Sequence, residues 1–166
     1  MSENYEFFKK EFEFTGKHAR MASELWIRDD LQNSFFRRLI DLYILAAVVG
    51  CRTERKAPAD TSSFEPKSVF PEQMIKEKDK LDYIMQMMLL TEYADTKTPE
   101  ECVKIAFRGA ETKEQYDSYY AMFNDYVRGG VEVLYQALIV RKPEPEEDFS
   151  DVKAANINAF LKDFRS

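Results

Sequence analysis

The most apolar continuous stretch of the chain runs from Phe36 to Gly50, and its apolar residues recur at helical spacing. They cover more than half of the helix surface, which is typical of a helix buried between other helices. Asn33 or Ser34 can cap its start by accepting a backbone N–H bond, and Gly50 can adopt the left-handed conformation that ends it. The pattern therefore predicts a central core helix.

The same spacing predicts further helices on both sides of this one. Residues 3 to 13 form an amphipathic pattern with Tyr5, Phe8 and Phe12 on one side, and a second helix runs from about Lys17 to Ile27. The first of these is predicted to dock on the core or to act as an aromatic arm that binds a partner. After the central helix, further helices are predicted at about 71–93, 99–109, 113–140 and 151–164.

The predicted helix 113–140 carries an unusual stripe of tyrosines. Tyr116, Tyr119 and Tyr120 lie on its apolar face. A tyrosine ring can cover apolar surface while its hydroxyl stays in water, so the stripe is interpreted as a core edge or as a partner-binding surface. Two threonines stand at helix-start positions. Thr98 is predicted to cap the helix 99–109, and Thr112 is predicted to cap the helix 113–140.

Two other features indicate how the helices pack. Gly129-Gly130 interrupts the tyrosine helix at a cost of about 1–2 kcal/mol relative to alanine, which makes sense if a neighbouring helix approaches closely or if the helix bends there. In either case the pair predicts tight packing. Thioethers at Met85, Met87 and Met88 suit promiscuous binding surfaces, but at helical spacing beside leucines they are predicted to fill the core.

Loop and linker segments in the sequence indicate the domain organisation. Residues 51 to 70 combine charges, prolines and small polar residues, so they are predicted to form one long loop and a candidate recognition segment. An acidic, proline-containing linker covers residues 142–150. The final helix, residues 151–166, is predicted to dock on its own domain, on a second copy or on a partner. The predicted fold is an all-α single domain of six or seven helices over residues 1–141, followed by these two segments.

Composition and charge exclude several classes of function. The 166 residues include 24 lysines and arginines against 30 aspartates and glutamates, which gives a formal net charge of −6. An acidic surface repels phosphates, so nucleic acid is a disfavoured partner. The uncharged run 42–50 is far shorter than the ~18 apolar residues that cross a bilayer, so no membrane association is predicted. The N-terminus lacks a secretory pattern, and Cys51 and Cys102 are predicted to be free thiols in a cytoplasmic protein.

Residues that could carry chemistry are scattered along the chain. His18 is the only histidine and is interpreted as a residue at the surface or at a helix start, because no metal-binding spacing surrounds it. The run Thr15-Gly16-Lys17-His18 lacks the earlier glycine of a phosphate-binding loop. No nucleophilic arrangement is present. The sequence therefore predicts no catalytic residue, no metal ion and no cofactor, and hence no enzyme.

Candidate binding residues can still be named. Five cations near the central helix could contact nucleic acid, although the helix places two of them about 20 Å from the others. They are Arg37, Arg38, Arg52, Arg55 and Lys56. The candidate partner-binding residues are the three tyrosines above and the apolar side chains of the final helix, Phe160, Leu161 and Phe164.

The order of segments resembles that of a known group of proteins. Phe-Thr-Gly-Lys-His-Ala near the start, LYILAAVVG, a Met/Leu-rich helix, IAFRG and YVRGGVEVLY follow one another over most of the chain. In this it is similar to small helical accessory proteins encoded beside DNA phosphorothioation and related phage-defence systems in bacteria. The resemblance implies a cytoplasmic bacterial protein that works with partner proteins on or near DNA, and it carries over no catalytic residues.

These observations lead to three hypotheses of function. The first is a non-enzymatic interaction subunit, an accessory component of a phage-defence or DNA-modification system, with a protein partner or a second copy of itself. The second is a DNA-binding module that uses the five cations. The third is an acidic inhibitor that imitates nucleic acid for a DNA-processing enzyme.

Overall fold

The structure is a computed structural model and describes residues 5–147 and 151–165. These residues form seven α-helices, one π-helical turn and a two-stranded antiparallel sheet. The predicted all-α class is confirmed, with a small sheet added. The helices are α1 (Gly16–Leu25), α2 (Leu39–Arg52), α3 (Pro71–Lys76), α4 (Lys78–Glu92), α5 (Pro99–Arg108), α6 (Lys113–Tyr135) and α7 (Val152–Arg165). The strands are β1 (Phe12–Phe14) and β2 (Lys67–Val69), and the π-helical turn is Gln136–Val140.

The core is built around the contact between α2 and α6. Tyr43 in α2 is fully buried, and its hydroxyl donates a hydrogen bond of 2.7 Å to Asn124 Oδ1 in α6. A Cβ atom at Gly130 would lie 1.8 Å from the carbonyl oxygen of Ala46, so the two helix backbones are in direct contact there. The predicted tight packing at Gly129-Gly130 is therefore confirmed.

The ends of α2 differ from the prediction. Neither predicted cap residue bonds to the helix, because Ser34 Oγ instead accepts a hydrogen bond of 2.9 Å from the backbone N–H of Ile27 and ties together the turn after α1. Arg38, in extended conformation, occupies the N-cap position. Gly50 does not end the helix but lies inside it, where a Cβ atom would meet the carbonyl oxygen of Tyr126 at 1.9 Å. This glycine serves close packing rather than helix termination.

The helix predicted over residues 3 to 13 is wrong. Residues 5–11 are irregular, β1 follows, and residues 3 and 4 lie outside the described residues. Phe8 has φ 63°, in the left-handed region that a helix cannot contain. In β1 the side chains of Phe12 and Phe14 are buried while Glu13 is exposed, which is the period-two alternation of a strand. β1 pairs with β2, so that Phe12 faces Val69.

Three other elements refine the predicted boundaries. The helix predicted at 71–93 is divided into α3 and α4 at Glu77, whose side chain forms ion pairs with Arg38 and Lys80. α5 begins with a complete capping box at Thr98, and Thr112 accepts a hydrogen bond at the start of α6, so both predicted caps are confirmed. The helix predicted to reach Val140 remains α-helical only to Tyr135 and ends in the π-helical turn.

α7 packs against this π-helical turn of its own chain. Asn156 is fully buried in the contact, and its Nδ2 atom donates to the carbonyl oxygens of Leu138 and Arg141 at 3.1 Å and 3.0 Å. Its Oδ1 atom accepts from the Arg141 guanidinium at 2.8 Å. The buried amide is thereby satisfied, which is the usual condition for a polar side chain at such a site.

Candidate functional site

A group of interacting polar and charged side chains joins α1, α6 and the segment after α2, and we call it the Glu132 cluster. It consists of His18 and Lys17 from α1, Arg55 and Glu132. The two carboxylate oxygens of Glu132 are shared: Oε2 lies 2.8 Å from His18 Nε2, and Oε1 lies 2.9 Å from an Arg55 guanidinium nitrogen. Lys17 Nζ lies 3.8 Å from Oε2. Two cations and one imidazole ring thus surround the same carboxylate.

Burial decides the protonation of this cluster. The His18 side chain is fully buried, and loss of hydration lowers its pKa below the ordinary value although Glu132 acts in the opposite direction. Burial alone would raise the pKa of Glu132, but the hydrogen bonds from His18 and Arg55 and the charge of Lys17 bring it below the ordinary value. Because the ionised carboxylate only accepts hydrogen bonds, the neutral imidazole donates its Nε2–H. Its buried Nδ1 atom has no hydrogen-bond partner among residues 5–147 and 151–165.

The cluster is a structural contact between three parts of the chain. Its imidazole is closed off from solvent, so no substrate can reach it. Over the described ranges 5–147 and 151–165, no group of three or more histidine, cysteine or carboxylate side chains is placed to hold a metal ion. The interpretation of His18 as a surface residue is wrong: it does lie near the start of α1, but a partner from α6 allows its burial.

The lone histidine makes the pH dependence of stability simple to assign. Because the pKa of His18 is lowered in the folded state, the unfolded chain binds more protons, and the free energy of unfolding falls as the pH decreases below about 6.5. Urea denaturation at a series of pH values checks this. The variant His18→Gln, which lacks the titrating group, is expected to lose that slope. Equal stability of the wild type above and below pH 6.5 would contradict the assignment.

The start of α1 is occupied by a carboxylate. The Asp60 side chain accepts a hydrogen bond of 2.6 Å from the backbone N–H of Lys17, and the Thr15 hydroxyl donates to the Asp60 carbonyl at 2.8 Å. The hydrogen bonds from Ser62 and from the Lys17 backbone lower the pKa of Asp60. Gly16 has φ 54°, and a Cβ atom there would lie 2.2 Å from the Asp60 carboxylate. The position where a phosphate would bind a helix N-terminus is therefore filled by the chain itself.

The five predicted nucleic-acid-binding cations do not come together on one surface. Arg37 and Arg38 precede α2, and Arg37 is exposed. Arg38 forms ion pairs with Asp41 at 2.7 Å and with Glu77 at 3.2 Å. Of the other three cations, Arg52 is the last residue of α2 and the other two follow it, about 20 Å from its start at the rise of an α-helix.

Those three cations each contact a neighbouring element. The Arg52 guanidinium lies 4.7 Å from the ring centroid of Phe164 in α7. Arg55 belongs to the Glu132 cluster, and Lys56 forms an ion pair with Glu92 in α4. The predicted long loop is thus fixed to α4, α6 and α1 by its charged side chains. Nucleic-acid binding by the five cations stays a prediction.

The tyrosine stripe is covered by the N-terminal segment. Tyr116 stacks on Phe7 with ring centroids 5.0 Å apart, and Tyr120 lies 6.0 Å from Phe7 and 5.7 Å from Phe8. Tyr119 is buried. These rings therefore contact residues of their own chain, as the core-edge interpretation requires, while partner binding by them stays a prediction.

Of the three candidate partner-binding residues of α7, two are half-buried and one is exposed. Phe160 and Phe164 stack with ring centroids 5.2 Å apart and are half-buried. Leu161 is 46% exposed. Partner binding by these three residues also stays a prediction.

An apolar surface that sequence reasoning missed lies on α4 and α5, which pack against each other. We call it the α4–α5 surface and define it by the exposed side chains of Tyr83, Met87, Val103 and Phe107. Phe107 is 70% exposed and Tyr83 is 65% exposed, although both are large and apolar or aromatic. Val103 also lines a cavity of about 230 Å³ together with Leu90.

A signal for this surface was present in the sequence. Met85 and Met88 are buried as predicted, but the prediction is wrong for Met87, which is 48% exposed. Tyr83 and Met87 are four residues apart, as are Val103 and Phe107, so each pair forms a short stripe on one side of its helix. These stripes lie beside the core stripes, and only the buried face of a helix needs apolar residues for folding.

These features define a small, mainly helical protein whose charged clusters hold its elements together. The chain belongs to the family of DNA sulphur modification system-associated protein 4, whose sequence model matches residues 14–156. The resemblance to accessory proteins of DNA phosphorothioation systems is therefore confirmed. Comparisons with curated proteins and with solved structures gave no match. No helix formed by the described residues is long and apolar enough to cross a membrane.

Proposed function

We propose that this protein is a non-enzymatic interaction subunit that works with the DNA sulphur modification system and binds a partner protein through the α4–α5 surface. The observation that carries this proposal is the exposure of four large apolar side chains on two neighbouring helices. Aromatic residues and methionine are enriched in the centres of protein interfaces. A function without catalysis agrees with the Glu132 cluster, in which each charged group holds another part of the chain.

The test is affinity purification of the tagged full-length protein from bacteria that carry the DNA sulphur modification genes. Proteins of that system are expected to co-purify with the wild type and to be reduced at least tenfold with the double variant Met87→Ser, Phe107→Ser, because interface anchors dominate binding. Phe107 is 70% exposed and Met87 is 48% exposed, and neither belongs to the buried core, so the variant keeps the core intact. Mass spectrometry identifies and quantifies the bound proteins.

The matched control is Leu31→Ser, which removes another exposed apolar side chain, 57% accessible, far from α4 and α5 in the chain. It is expected to retain the partner. Repeated recovery of the protein alone under mild conditions would contradict an interaction subunit. Equal recovery of the partner with the double variant would place the interface elsewhere.

The DNA-binding hypothesis makes a different prediction about charge. A net charge of −6 and the ion pairs of Arg38, Arg55 and Lys56 weaken the attraction of phosphates. A gel-shift titration with duplex DNA at low salt is expected to show no binding. A salt-sensitive shift that is lost when Arg37 and Arg52 are replaced by alanine would support the DNA-binding module instead.

A further inference from the structure

A cleft of about 500 Å³ lies beside β2, on the side of the molecule where α1 ends. One wall is the end of α1 and the turn after it, with Trp26 and Arg28. The other wall is the segment 65–70, which contains β2 and ends at Phe70. Phe70 is 56% exposed, and its backbone starts α3.

The cleft follows an edge of the sheet. Successive side chains of a strand point to opposite faces, yet the neighbours Lys67 and Ser68 both line this cleft. A cleft that touches both must run along the strand backbone rather than over one face. No residue of β1 lines it, so the edge is the one that no strand formed by the described residues pairs with. The edge therefore presents backbone N–H and C=O groups that can pair with another strand.

The side chains around the edge suit a polypeptide. Trp26 donates its indole N–H to the carbonyl oxygen of Arg37 at 3.2 Å, which fixes the ring in the wall. Each wall carries one cation and one anion: Arg28 and Asp29 on the α1 side, Lys67 and Glu65 on the strand side. A strand that alternates apolar residues with residues of both charges is complementary to this arrangement. A nucleic acid would place its negative phosphates beside Asp29 and Glu65, and both carboxylates would repel them.

We propose that β2 binds an extended segment of a partner protein by strand addition, with apolar side chains of that segment packed against Trp26 and Phe70. This inference rests on the proposed function as an interaction subunit and gives the protein a second binding surface, separate from the α4–α5 surface. Pro66 has no N–H to donate, so the N–H groups that can donate to an added strand lie after it in β2.

Random dodecapeptides displayed on phage, selected against the full-length protein, supply a probe. The selected sequences are expected to alternate apolar and charged residues. A fluorescein-labelled copy of the best one is titrated with protein in a fluorescence anisotropy assay. Phe70→Ser is expected to weaken its binding at least tenfold, whereas Phe107→Ser on the α4–α5 surface leaves it unchanged. Circular dichroism confirms that both variants remain folded.

Backbone methylation separates strand addition from simple burial of apolar side chains. In a strand only every second N–H points to a given edge, so N-methyl groups on one set of alternate peptide residues block the pairing and those on the other set do not. The first peptide is expected to bind at least about tenfold more weakly than the second, because it loses two or more hydrogen bonds. Equal affinity of the two methylated peptides would overturn the proposal.

Three other outcomes would also overturn the proposed strand addition at β2. Peptides whose binding is lost in Phe107→Ser but kept in Phe70→Ser would overturn the β2 edge and leave the proposed function standing. Failure to select any peptide, while proteins of the modification system still co-purify, would do the same. Binding of a twelve-nucleotide oligo-dT probe that Phe70→Ser abolishes, with no peptide selected, would replace the peptide by a single-stranded nucleic acid.

Discussion

Replacing Gly130 by alanine is expected to lower the free energy of unfolding by about 2 kcal/mol. The new methyl group would lie 1.8 Å from the carbonyl oxygen of Ala46, a backbone atom that cannot rotate away. Overpacking of a tight contact costs about 1–3 kcal/mol, and alanine recovers only about 1 kcal/mol through its helix propensity. The clash at 1.8 Å places the cost at the upper end of that range or above it. Urea denaturation followed by far-ultraviolet circular dichroism measures the difference.

The matched control for this prediction is Ser118→Ala, at an exposed position of the same helix. It adds no atom to a contact, so it is expected to change the free energy of unfolding by no more than about 0.5 kcal/mol. A Gly130→Ala variant more stable than the wild type would mean that α2 and α6 separate at no cost. That result would contradict the direct backbone contact.

The sequence could reveal this contact because two glycines inside a long helix need a reason. Their cost in helix propensity is visible without any knowledge of the partner. The partner residue was not visible, and Gly50 was therefore assigned to the end of α2 instead of to the same contact. A glycine near the end of an apolar stretch fits both roles, and only the distance to Tyr126 in α6 separates them. The caps at Thr98 and Thr112 were predictable for a simpler reason, since their hydrogen bonds span three residues.

The N-terminal segment shows the opposite case. Tyr5, Phe8 and Phe12 have helical spacing, and nothing nearby in the sequence argues against a helix. Strand pairing with residues 67–69 supplies the competing structure, and it depends on a segment that lies more than fifty positions away. The apolar side chains are buried as expected, but they reach the core from an irregular segment and a strand. Burial was predictable there, whereas the backbone conformation was not.

The candidate sites were predictable only in part, and for the same reason. A histidine between Lys17 and Arg20 fits a solvated helix start until Glu132, 114 positions away, is placed against it. The exposed stripe of Tyr83 and Met87 could have been separated from the core stripe by helix geometry alone. What that geometry cannot show is whether a second part of the chain covers the stripe, as the N-terminal segment covers Tyr116.

The Glu132 cluster gives the second large effect. Glu132→Gln is expected to lower the free energy of unfolding by about 2–3 kcal/mol, because hydrogen bonds to charged groups in partly buried sites contribute that much. The amide keeps the shape of the side chain but removes the charge that pairs with Arg55. Its NH₂ group can donate to His18 Nε2 only when the imidazole changes tautomer and buries an unpaired Nδ1–H. Urea denaturation at neutral pH measures the loss. Because the hydrogen bond that His18 donates to Glu132 raises the pKa of His18, the substitution is also expected to lower that pKa further, which proton NMR of the single histidine detects.

Glu24→Gln is the control for Glu132→Gln, because it removes the charge of a carboxylate in an exposed ion pair. Glu24 is paired with Arg20 at 3.5 Å, and both side chains are about half exposed at 45% and 47%. Removing that carboxylate is expected to cost no more than about 1 kcal/mol, since water screens exposed pairs. The Glu132 side chain is only 12% exposed and joins three segments, so its loss leaves groups that water cannot fully solvate. Equal losses from the two substitutions would mean that the cluster contributes no more than a surface ion pair, and that apolar packing alone holds α1 and the loop on α6.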